Sequence, residues 1–87
     1  MNKNLKAVAL KYEQSKDRAP KVIAKGEKNI AERILEIAKE HNIPIHQDSD
    51  LLELLYKLDI YQEIPEELYK AVAEILAYIY KANKKYY

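Results

Sequence analysis

The sequence predicts an α+β domain in which about three strands of a small mixed sheet pack with three helices, in the order β-β-α-β-α-α. Three observations lead there. Residues 5–12 and 21–25 are short apolar stretches bounded by polar or turn-forming residues. Residues 27–41 repeat apolar side chains at helical spacing, and Pro65 followed by Glu66 and Glu67 opens another periodic stretch. With 87 residues, folding buries only about 60 to 65% of the extended chain's surface, so a single domain over residues 1–87 is expected.

In residues 5–12, Val8, Leu10 and Tyr12 alternate with Leu5, Ala7 and Ala9, the pattern of a strand covered on both faces. Glu13 to Ala19 is polar apart from its last residue and ends at Pro20, which reads as a surface loop. Lys21 to Lys25 encloses Val22, Ile23 and Ala24, a second short strand. Gly26, the only glycine, marks the handover to a helix, where a missing Cβ allows tight turning and close packing.

From Glu27 to His41, Ile30, Ile34, Ile37 and Ala38 recur on one face, and Asn42 is placed to close the helix in a left-handed conformation. Ile43, Pro44 and Ile45 then read as a very short third strand, making a right-handed parallel crossover. Asp50 with Glu53 resembles a capping box ahead of Leu51, Leu52, Leu54, Leu55 and Leu58, giving a second helix to about Lys57. After a connector over residues 59–63, Pro65 suits a first helical position and Glu66 and Glu67 suit the positive end of its dipole. This last helix turns Leu68, Ala71, Val72, Ile75, Leu76 and Ile79 inward.

Fifteen basic and 14 acidic residues interleave along the chain, leaving a formal charge of +1. Phosphate binding needs a concentrated basic excess, so no nucleic-acid partner is expected. Lys6, Lys11, Lys16, Arg18, Lys21 and Lys25 make the first quarter basic, and a small RNA- or ribosome-binding module is the alternative they support. No apolar run approaches the roughly 20 residues that span a bilayer, and no secretory signal is evident, so a cytoplasmic location is the default expectation.

The absence of cysteine excludes disulfide and zinc-thiolate scaffolds. His41 and His46 are separated by Pro44 and lack the fixed helical spacing of a metal pair, even with Asp48 or Asp50 recruited, so no metal or other cofactor is expected. Ser15 and Ser49 sit in no nucleophile elbow, and one glycine cannot build a phosphate-cradling loop. Paired carboxylates such as Glu66 with Glu67 are helix N-terminal charges. The residues offer no catalytic set, and the chain reads as a non-enzyme. Tyr56, Tyr69 and Tyr78 suit half-buried positions, and Tyr86 with Tyr87 a frayed tail.

Several stretches carry a family likeness: Ala7-Val8-Ala9-Leu10-Lys11-Tyr12, Ala19-Pro20-Lys21-Val22-Ile23-Ala24-Lys25-Gly26, Arg33-Ile34-Leu35-Glu36-Ile37-Ala38, Ile43-Pro44 and Leu55-Tyr56. The most specific is the ungapped run from Gln62 through Ile64-Pro65-Glu66-Glu67-Leu68-Tyr69 to Tyr78. Together they resemble the cytoplasmic domain of the FlhB/YscU family of type III export switch proteins, in order and over nearly the whole chain. Full-length members carry a transmembrane region, a linker and a further strand before an Asn-Pro-Thr-His loop that cuts itself between Asn and Pro. Asn2 falls on the family's Asn, but Lys3, Asn4 and Leu5 stand where it has proline, threonine and histidine, so the cleavage chemistry does not carry over.

The resemblance implies a protein equivalent to the fragment on the C-terminal side of that cut, working in flagellar protein export. Implied partners are export-gate proteins and rod and hook substrates; the further strand is expected from the N-terminal part of a membrane-anchored FlhB, the alternatives being that Met1 to Asn4 fold back to cap the open edge or that the chain pairs with a copy of itself. It also implies a substrate-binding apolar depression, to which Ala19, Pro20, Ala73 and Leu76 correspond. Relative to the family, one residue is missing between Tyr56 and Pro65.

Overall fold

Among the described residues the sheet has two strands: β1 (Lys6–Lys11) and β2 (Lys21–Glu27) run antiparallel, with Lys6 opposite Glu27 and Lys11 opposite Lys21. The molecule is represented by a computed structural model that describes residues 5–13 and 15–82, with burial and side chains described through residue 75. Asn2 and the tail at Tyr86 and Tyr87 lie outside the described residues. The pairing steps from Ala9–Ala24 to Leu10–Val22, leaving Ile23 as the extra residue of a β-bulge.

Three helices follow: α1 (Asn29–Glu40), α2 (Ser49–Tyr56) and α3 (Tyr69–Ala82), the last preceded by a 3-10 turn over Glu66–Leu68. The α+β class stands, but the sheet is two-stranded and antiparallel rather than three-stranded and mixed. Ile43-Pro44-Ile45 forms no strand, and Ile43 and Ile45 are 53% and 45% exposed. The outer edge of β2 is already occupied. Val22 N donates to Gln62 O at 3.0 Å, Tyr61 N to Val22 O at 2.6 Å and Ile64 N to Pro20 O at 2.9 Å, with a single antiparallel bridge between Lys21 and Glu63. The connector takes the place expected for the third strand, and Pro44 would in any case lack one ladder donor.

The helix ends follow local chemistry. Asn42 has φ 57°, Ile43 N donates to Ala38 O at 2.8 Å and Asn42 N to Lys39 O at 3.2 Å, which together close α1 in a Schellman motif. The N-cap of α2 is Asp48, whose carboxylate accepts from Leu51 N at 3.1 Å, so Asp50 sits in the first turn instead of capping it. Pro65 is extended (φ −73°, ψ 159°) and caps the 3-10 turn, so the helix proper starts four residues later than its proline suggests.

Val8 and Leu10 pack against a cluster of Ala19, Leu51, Leu55, Ile64 and Val72, joined by Leu58, Leu68 and Ile75. Alternation along β1 puts Ala7, also buried, on the opposite face, where α1 lies against both strands. The buried side of α1 is marked by Ala31, fully inaccessible, while Ile30 and Ile37 of the expected inward stripe are 60% and 39% exposed. Small residues set this contact. A Cβ on Gly26 would stand 2.7 Å from Ile30 Cβ, so glycine is needed there for close approach. Its own φ is not positive; a positive φ falls on Lys28 instead, with φ 55° and ψ −120° at the N-cap of α1.

Candidate docking face

The loop from β1 to β2 delivers Ala19 and Pro20 into the interior, and charge sets its path. Asp17 Oδ2 accepts from Glu13 N at 2.9 Å, while Lys16 N and Asp17 N both donate to Glu13 O, at 2.9 and 2.7 Å. Lys21 Nζ reaches Asp17 at 3.6 Å, and Lys11 Nζ reaches Glu13 at 3.0 Å. The Glu13 backbone N–H, aided by the Lys21 charge and opposed by desolvation, holds the Asp17 carboxyl below the usual carboxylate range. The Glu13 carboxylate, through a hydrogen bond and its charge, pushes Lys11 up.

Beyond this latch Ala19 is 2% exposed and Pro20 is buried, tied down by the Ile64 amide. Ala19 shares its cluster with Val72 of α3, and the next residue, Ala73, is exposed. Of the four residues matched to the family's depression, then, Ala73 is presented at the surface while Ala19 and Pro20 lie beneath it. Leu76 falls within α3, its side chain outside the described residues. At helical spacing Tyr69, 43% exposed, stands one turn before Ala73 on the same shoulder of the helix.

The basic residues of the first quarter face acids or carbonyls. Lys6 pairs with Glu53 at 3.1 Å, Lys16 with Glu13 at 3.8 Å and Arg18 with Glu63 at 3.3 Å, besides Lys11 and Lys21 in the latch. Lys25 donates to two backbone carbonyls at the end of α2. Among the described residues no group of three or more His, Asp or Glu side chains is placed to hold a metal, and no helix is long and apolar enough to cross a membrane.

Sequence reasoning did not single out Ile60 and Tyr61. Held by the Tyr61 bond to β2, they project at 41% and 73% exposure, Tyr61 with φ 71°. The available signal was an aromatic residue in a connector one residue short.

Residues 1–79 match the family described as FlhB, HrpN, YscU and SpaS. YlqH of Bacillus subtilis (strain 168) is 47% identical over 79 residues, which cover 91% of this chain and 85% of YlqH. The flagellar biosynthetic protein FlhB of the same organism is 45% identical over 82 residues, covering 93% of this chain but only 23% of FlhB. The crystal structure of the cytoplasmic domain of FlhB from Shewanella putrefaciens matches with a TM-score of 0.86 at 40% identity, over 92% of this chain and 66% of that one. The PscU C-terminal domain matches with a TM-score of 0.79 at 32% identity, over 85% of this chain and 95% of that one. The wording of the sequence, the fold and these matches agree: the chain belongs to the FlhB, HrpN, YscU and SpaS family of type III export components.

Proposed function

We propose that this chain is a non-enzymatic docking component at the cytoplasmic side of the flagellar export gate, equivalent to the cleaved cytoplasmic fragment of the switch protein. The observation that carries the reading is the position of Ala73: a small exposed apolar side chain one residue from Val72, which is buried against Ala19. An apolar segment of a rod or hook substrate would lie along α3 over Ala73, with Ala19 and Pro20 forming the floor that holds this helix in place. Direct contact falls to Ala73, and the Ala-Pro step acts from below. Self-cleavage has no place in this function, because Lys3, Asn4 and Leu5 replace the residues that perform it in the family.

A second contact follows from β1. Its inner edge pairs with β2, and among the described residues nothing pairs with its outer edge. A strand from the N-terminal part of a membrane-anchored FlhB would complete that edge by β-augmentation and hold the chain at the gate. The RNA-binding alternative has no observation in its favour, since the basic run is met by carboxylates and carbonyls.

The test is Ala73→Asp. A charge set into an apolar contact must be desolvated without a partner, at about 1–3 kcal/mol, so affinity for purified hook and rod subunits should fall roughly tenfold or more with the fold intact. Unchanged affinity in a folded variant removes the docking face from the proposal.

A further inference from the structure

Helix α1 leaves an apolar strip outside the core. At about 100° per residue, Ile30, Ile34, Ile37 and His41 line one side of the helix, roughly a quarter-turn from buried Ala31 on the sheet-facing side. Ile30 is 60% exposed and Ile37 39% exposed. Arg33 and Glu40, also exposed, border the strip on the same flank two turns apart. We propose that this strip is the surface through which two copies of the chain associate, α1 against α1, antiparallel about a twofold axis.

The order of the charges selects a second copy as the occupant and fixes its direction. A twofold axis perpendicular to both helices keeps the shared flank on one side and reverses the sequence along it. Ile34 of one copy then meets Ile37 of the other, Ile30 meets His41, and Arg33 comes within reach of the second copy's Glu40, with the reciprocal pair at the far end. A parallel twofold would instead put the two flanks on opposite sides of the helix pair, each Arg33 and Glu40 set against the partner's sheet-facing flank with no opposite charge to meet. Arg33 already has a partner, Glu36 at 3.2 Å, but both side chains are about two-thirds exposed (67% and 64%). A pair so exposed is weakly held, so Arg33 is free to turn to Glu40 across the interface.

Sedimentation equilibrium of the whole chain from micromolar to millimolar concentration reads the proposal directly. A concentration-dependent dimer is expected, weakened at least about tenfold by Ile37→Asp and by Ile30→Asp, since each buries a carboxylate among isoleucines. Because Ile37 is 39% exposed in the single copy, Ile37→Asp should lower the melt at low concentration yet keep a cooperative transition, so that association is compared between folded chains. Arg33→Glu and Glu40→Arg should each weaken association, roughly fivefold to tenfold because each acts twice across the axis. The double variant should return to the parent's constant. A monomer throughout, a dimer indifferent to Ile37→Asp, or a double charge exchange that fails to restore association each overturns it. The charge exchange alone decides should either aspartate variant unfold.

Discussion

Lys25 Nζ donates to Leu58 O at 2.7 Å and to Tyr56 O at 3.0 Å, so a side chain from the middle of β2 closes the C-terminal end of α2. Tyr56 O is one of the acceptors a helix end leaves without partners, Leu58 O lies just past the C-cap, and an ammonium suits the negative end of the dipole. The same Nζ lies 5.4 Å from the centre of the Tyr56 ring, whose surroundings also include Lys6 Nζ at 5.1 Å. Charged hydrogen bonds in a part-buried setting outweigh exposed ion pairs.

Lys25→Met keeps the stem's apolar packing and removes only the donors. It should lower stability by about 1.5–3 kcal/mol, and amide exchange should speed up over residues 51–58. Arg18→Ala, which breaks an exposed pair with Glu63, should cost no more than about 0.5 kcal/mol. Equal losses in chemical denaturation would mean that the carbonyls at the end of α2 are satisfied without Lys25.

Gly26→Ala should destabilise by about 1–3 kcal/mol, because the new methyl would enter the space of Ile30. Adding Ile30→Ala should recover only part of that loss, since Ile30 Cβ itself stands 2.7 Å from the position the new Cβ would take. Full recovery in the double variant would show that the Ile30 branches, not the closeness of the backbones, set the requirement for glycine.

Much of the fold was legible because its signals are local. The period of residues 27–41 and the left-handed closure at Asn42 depend on neighbours within a turn or two, and each found its element, while Pro65 marks a 3-10 turn four residues ahead of the last helix. The third strand depended on competition. Ile43-Pro44-Ile45 and the connector after α2 are both candidates for one sheet edge, and only three-dimensional closure places residues 61–64 there. The inward face of α1 was misjudged for a related reason. The isoleucines carry the larger hydrophobic signal, but close approach to the sheet is made by the small residues Gly26 and Ala31, which rotates Ile30 and Ile37 outward. At the candidate site, nothing local showed that Ala19 lies in the core.

The Asp17 latch predicts a pH dependence. A carboxyl whose folded pKa lies below its unfolded value contributes stability that is present above the unfolded pKa and is lost as pH falls through the folded one. The parent chain should therefore lose an increment of stability on acidification below the ordinary aspartate range. Asp17→Asn should lack that increment at neutral pH and change less through the same window. Parallel stability profiles for the two chains would show that the Glu13–Asp17 bond does not stabilise the loop leading to Ala19 and Pro20.

β1 carries the last prediction. Val8 and Leu10 face one core and Ala7 the other side, so the strand is clad on both faces while its outer edge is unpaired among the described residues. Such an edge is a template for another strand, guarded here only by Lys6 and Lys11 near its ends. Both ammoniums have acidic neighbours, Glu53 and Glu13, which reduces their repulsion toward an incoming cation but leaves the backbone groups between them open. A peptide carrying the strand that precedes the cleavage loop in a full-length FlhB should therefore slow amide exchange in β1 at the groups facing outward. The inward-facing amides, already bonded to β2, should change little. A scrambled peptide of the same composition controls for charge and hydrophobicity. Protection confined to the outward amides and specific to the ordered peptide is the expected result, whereas none at saturating peptide would mean the edge is closed and would end the tethering proposal.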